Sequence, residues 1–192
     1  MRNPAVLLSV AFMLVLGGCL SGAIKTVASQ TSSYSFGEFV YLTSGRDTLV
    51  VVRGNPFNMD QKAFANAVTD AMQGQHWGPR THFTVGPSET ARKDIKVVML
   101  FHGSETVLGD ELCASPERFG SVNGGDGLHL TAAFCSGSVA WTEVFAQAGP
   151  VASTQVPTFA RLVAHTTLEL FPILETEDPL DDDDNEGRSF RR

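Results

Sequence analysis

Leu128-His129-Leu130-Thr131-Ala132-Ala133-Phe134-Cys135-Ser136-Gly137-Ser138-Val139-Ala140-Trp141-Thr142-Glu143-Val144-Phe145-Ala146-Gln147 is the stretch that decides the fold. Two strand-like runs, 128–135 and 139–147, are separated only by Ser136-Gly137-Ser138. A spacer of small turn-forming residues between two such runs predicts a tight β-hairpin, and hence a sheet that is at least partly antiparallel. Upstream, Ile95, Val97, Met99 and Phe101 alternate with Lys96, Val98, Leu100 and His102, which predicts another strand, apolar on one face and mixed on the other. Asp47 to Arg53 contains the β-branched run Thr48-Leu49-Val50-Val51-Val52 and reads as a buried strand, broken by Gly54-Asn55-Pro56-Phe57.

Two helical patterns complete the core. Phe64, Ala67, Val68, Ala71 and Met72 fall on one face of a helix that opens near Asn58 and Gln61, which are spaced as a capping box, and stops at Gly74. The second helix runs from about Thr154 to Phe171, with Pro157 in its first turn and Val156, Phe159, Ala160, Val163, Thr167, Leu170 and Phe171 at helical spacing. Residues 75–93 read as a connection and 103–127 as a long loop. Phe36 to Leu42 reads as an edge strand. The order β-α-β-loop-β-β-α predicts an α+β two-layer sandwich: a three- to four-stranded, mostly antiparallel sheet with two helices on one face.

The 192 residues, 43% of them apolar and 18% charged, suit one domain with appendages. The net charge of −7 is unevenly spread. Residues 175–192 hold eight carboxylates against three arginines and read as a disordered acidic tail, whereas residues 19–174 are close to neutral. No basic patch builds up, which argues against nucleic acid as a partner.

At the N-terminus, Arg2 precedes an apolar segment from Ala5 to Leu16, interrupted only by Ser9. A dozen residues is short of the ~20 needed to span a bilayer and has the length of a signal-peptide core. Leu16-Gly17-Gly18-Cys19 follows. This aliphatic-small-small-Cys sequence resembles the lipobox of bacterial lipoproteins. The resemblance covers residues 1–19 and implies that residues 1–18 are removed, that Cys19 is acylated, and that two or three acyl chains hold the protein on a membrane, each buried methylene adding ~0.8 kcal/mol. Leu20 and Ser21 follow in place of the Asp that retains some of these proteins in the inner membrane, so the resemblance implies outer-membrane sorting in a Gram-negative cell and a periplasm-facing domain. The expected organisation is a signal peptide (1–18), a lipidated Cys19 with a flexible tether (19–34), an α+β domain (35–174) and the tail. The layout is similar to that of small envelope lipoproteins, a likeness of fold that fixes no activity.

Export bears on the cysteines. With Cys19 set aside for lipid, Cys113 and Cys135 remain as an even pair in an oxidising compartment, and a disulfide is expected. The alternative is two buried thiols, and a zinc site joining them to His129 has poor ligand spacing.

Other chemistry is scarce. His76, His82, His102, His129 and His165 show no metal-binding helical spacing, although His102 and His129 lie on strands that can place them face to face. There is no Gly-x-Ser-x-Gly elbow, and Gly124, Gly125 and Gly127 do not form a phosphate loop. Glu143 reads as solvent-facing, Asn55-Pro56-Phe57 as a turn, and Asp181 to Asp184 lack the spacing of a calcium loop. No cofactor is implied. His76-Trp77-Gly78-Pro79-Arg80 gathers an aromatic, an imidazole and a guanidinium in one connection, a composition frequent at contact sites; the alternative is that Trp77 folds back onto the core. The expected function is a non-catalytic binding or assembly module of the bacterial envelope, with an enzyme assembled from separate loops and a structural accessory subunit of an envelope complex as alternatives.

Overall fold

The computed structural model describes residues 23–31, 33–121 and 127–173. The elements in chain order are β1 (Ile24–Gln30), α1 (Phe36–Thr43), β2 (Asp47–Arg53), α2 (Gln61–Met72), β3 (His82–Thr84), β4 (Ile95–Phe101), α3 (Gly109–Ala114), a short 3-10 turn (Pro116–Arg118), β5 (Leu128–Ser136), β6 (Val139–Ala148) and α4 (Pro157–Leu170). The signal segment, Cys19, Gly124 to Asp126 and the acidic tail lie outside the described residues.

The α+β class holds, and β5 and β6 form the expected hairpin, with Ser136 opposite Val139. The sheet is larger than expected: six strands in the order β1-β6-β5-β4-β2-β3. Pairings from β1 through β4 are antiparallel, whereas β2 runs parallel to both β4 and β3, so the sheet is mixed. Two strands escape the sequence pattern. β1 occupies residues expected in the flexible tether; it is polar and mostly exposed, and all seven of its residues pair with β6. Ladder hydrogen bonds rather than apolar burial hold such an edge strand, so composition conceals it. β3, expected as connection, is only three residues long.

The helices also outnumber the two expected. Phe36–Thr43, expected as an edge strand, is helical because Ser35 caps it through a hydrogen bond from the Glu38 amide (3.1 Å) and because Phe39, Leu42 and Thr43 then share a buried face. α2 begins at the Asp60 cap, whose Oδ1 accepts from the Ala63 amide at 2.9 Å, in place of the expected Asn58 box. α3 lies inside the segment expected as loop.

Two cores result. Between α1, α2, α4 and one sheet face lie Phe39, Phe64, Val68, Met72, Met99, Phe101, Phe134, Phe159 and Phe171, all essentially inaccessible. Phe39 stacks on Phe171 at 4.3 Å and meets Phe134 edge-on at 5.9 Å. The reverse face carries a smaller core of Val98, Leu100, Leu112, Cys113, Ala133 and Cys135 beneath α3. The helices therefore cover both faces, and the simple two-layer sandwich is corrected to a sheet with a main helical layer and a partial second one. Cys113 and Cys135 are joined in a disulfide with Cα atoms 5.5 Å apart, tying α3 to β5. A register irregularity at Phe134/Cys135, where Phe134 faces Thr142 and Cys135 faces Ala140, bulges β6. It turns Ala140 toward α3, while Thr142 donates to the Leu170 carbonyl of α4 at 2.7 Å.

Candidate functional site

The register divides the sheet into two ends. At one end Phe101 faces Leu130, Leu128 faces Ala148, and Ile24 faces Ala148, so the C-terminal ends of β2, β4 and β6 meet the start of β5 and β1. At the other end β2, β3 and β4 begin, and the β5–β6 turn, α1 and the 73–81 connection gather.

His102 and His129 meet at the first end. His102 immediately follows β4 and adopts φ 51°, the left-handed region that a histidine enters only under local constraint. Its amide donates to the His129 carbonyl at 3.0 Å. The two rings stand edge to face with centroids 5.8 Å apart, and the Phe145 ring lies 6.1 Å from His129. Glu105 Oε1 comes within 3.9 Å of His129 Nδ1. Partial burial lowers the His102 pKa, the nearby His129 charge lowers it further, and a hydrogen bond to the Gly127 backbone opposes both. The pair is therefore biased toward one neutral imidazole beside a second ring, an arrangement suited to hydrogen bonding or proton exchange. The strand positions hinted at this pairing; the left-handed turn and Glu105 had no signal in the sequence.

The second end holds the expected contact residues but divides them. His76 turns inward: its ring packs edge-on against Phe39 (5.5 Å), Phe83 (5.6 Å) and Phe171 (6.1 Å), and its Nδ1 lies 2.8 Å from the Trp77 carbonyl. Trp77 does not fold back; it is 55% exposed. Arg80 is exposed, and its carbonyl accepts from the Gly45 amide at 3.0 Å, which stitches this connection to the end of α1. Gly78 suits this turn: its φ of +86 lies in the left-handed region that other residues rarely adopt, and it sits against the Phe36 ring. α1 adds Tyr41, 69% exposed, with the Arg92 guanidinium 5.7 Å from its ring centre.

Asp47 anchors the same end. The Ser88 backbone N–H donates to Oδ2 at 2.7 Å and His82 Nδ1 lies 2.9 Å from Oδ1. The Ser88 hydrogen bonds, chiefly from the backbone, and the His82 contact hold the carboxyl at about 2. This fixes the 85–94 segment over β2, where Leu49, Pro87, Ser88 and Arg92 border an open concavity of about 620 Å³. A smaller hollow of about 180 Å³ lies between β1, the start of α3 and β6, lined by Gln30, Leu108, Asp110, Trp141 and Glu143.

Among the described residues no three His, Cys, Asp or Glu side chains group as a metal site, and no helix is long and apolar enough to cross a membrane. No family model, curated protein or solved structure matches the chain.

Proposed function

We propose that the chain is a lipid-anchored protein of the bacterial envelope whose domain faces the periplasm and binds an envelope partner through the Trp77 end, without catalysis. The observation that carries this reading is the position of Cys19. Cys113 and Cys135 are joined to each other, so Cys19 is the cysteine left over, and it sits in Leu16-Gly17-Gly18-Cys19 behind an apolar segment. A disulfide between two buried residues agrees with an exported chain. Trp77 and Tyr41 support a binding role: large exposed aromatics on a hydrogen-bonded frame contribute contact area with little entropy to lose.

The test is metabolic labelling with an alkynyl fatty acid. The intact protein takes up label and stays with membranes, and Cys19→Ser abolishes both. Label that persists in Cys19→Ser, or an unacylated mature N-terminus by mass spectrometry, overturns the anchor. For the partner, a photo-crosslinking amino acid at position 77 gives a discrete adduct in intact cells, whereas one at exposed Arg161 on α4 does not.

A second reading, acid–base catalysis, is favoured by one observation: His102 is held in a strained backbone conformation beside His129. A phenotype of His102→Gln that leaves folding and membrane attachment intact, with none for Trp77→Ala, would favour it.

A further inference from the structure

We infer that the domain stands on the membrane with its His102–His129 end toward the lipid and its Trp77 end directed away; this orientation rests on the lipid-anchor reading above.

Cys19 and Ile24 are separated by four residues. A chain reaches at most ~3.3–3.6 Å per residue, so the anchor lies within about 18 Å of the first residue of β1. Ile24 faces Ala148, the last residue of β6, and Ala148 also faces Leu128. The anchor therefore enters at the end of the sheet where β4 finishes and His102 and His129 meet. β6 is ten residues long. At ~3.4 Å per residue the β5–β6 turn stands about 30 Å farther along the sheet. Inverting the domain would require the tether to run back along that whole length, and about 18 Å of chain cannot do so.

A tether of that length also lets the domain lie flat on β1, and the chemistry of that edge disfavours it. Lys25, Ser29 and Gln30 are exposed there, and Val27 is the one large apolar side chain exposed on that strand. An edge strand also presents unpaired backbone donors and acceptors, which lose water without gaining partners when pressed against lipid. Charge points the same way. α4 finishes at the far end, where Thr142 donates to the Leu170 carbonyl and the Tyr34 hydroxyl donates to the Pro172 carbonyl at 2.9 Å. The eight carboxylates of residues 175–186 follow Ile173 from there. Starting from that end, these carboxylates are free to stay clear of lipid, whereas the inverted orientation would start them beside it. The partner is thus a phospholipid surface, met by the loops at 54–60 and 149–156.

The experiment uses energy transfer from the full-length acylated protein to a headgroup acceptor in vesicles of phosphatidylethanolamine and phosphatidylglycerol. With Cys113 and Cys135 bridged and Cys19 acylated, an added surface cysteine supplies the single free thiol. Asn58→Cys labels the loop before α2, and Ser138→Cys labels the β5–β6 turn; both sites are exposed. The donor at position 58 is expected to lose most of its emission and the donor at position 138 to keep most of it. Equal or reversed transfer, with Cys19 shown by mass spectrometry to be acylated in the same sample, overturns the orientation alone. Absence of acylation overturns the anchor reading as well.

Discussion

Replacing both Cys113 and Cys135 by alanine tests whether the reverse face of the sheet depends on its bridge. The two cysteines are 22 positions apart, so the bond closes a ring of that size that runs from the end of α3 through the 3-10 turn and into β5. Cross-linking a loop of this length removes about 11 cal/mol/K of chain entropy from the unfolded state, or about 3 kcal/mol at 25 °C. The local structure has little to replace it. α3 has six residues, too few to persist alone in water, and the core beneath it is much the smaller of the two. Alanine is preferred to serine because both positions are about 1% exposed or less, and a buried hydroxyl without a partner adds a cost of its own. Urea unfolding should show a loss of about 3 kcal/mol, equivalent to a fall in Tm of about 10 °C. Hydrogen exchange should quicken first at residues 107–119, before the amides of β4 and β5. A Tm within about 2 °C of the unaltered protein, or loosening that begins around α2 and α4, would refute the reasoning.

Four further outcomes follow from the packing. Phe39→Ala removes a ring that touches Phe134, Phe171 and His76, and should cost ~3–5 kcal/mol in chemical denaturation, with α1 exchanging freely. Gly54→Ala should cost about 2 kcal/mol or more, measured the same way, because position 54 has φ +73 and a Cβ there meets the Phe101 carbonyl oxygen. His102 titrates lower in the folded protein than unfolded, so the unfolded state binds more protons as pH falls below ~6.5; stability should therefore drop over that window and be fully present above it. NMR titration should show the His102 midpoint rising in His129→Gln, which removes one of its two depressing influences. An unchanged midpoint would assign the whole shift to burial.

Periodicity in the chain determined much of the scaffold. β4, β5, β6 and the two long helices are legible because each buries a continuous face, and a buried face imposes a period of two or 3.6 on its residues. The α+β class follows from their order, and the disulfide follows from the cysteine count once Cys19 is set apart. Elements stabilised by something other than a buried face left no such trace. β1 is held by its ladder to β6, and β3 by three residues beside β2. Phe36-Gly37-Glu38-Phe39-Val40-Tyr41-Leu42 has the composition of a strand, yet folds as a helix because Ser35 caps it and Phe39 fits between Phe134 and Phe171. Only tertiary structure decides such cases, because the competing local preferences are small against the burial of one aromatic ring.

The candidate sites divide in the same way. Trp77 and Arg80 are conspicuous in the sequence as a cluster, but only the fold turns the half-buried His76 ring against core phenylalanines and leaves Trp77 outside. His102 and His129 are 27 positions apart, with no motif between them. The antiparallel register of β4 and β5 brings them together, and register is a property of two strands at once, set by which faces both must bury. Leu16-Gly17-Gly18-Cys19 is the reverse case: its resemblance to a lipobox lies wholly in the order of its residues, whereas only the pairing of β1 with β6 decides which end of the sheet the chain enters after that segment.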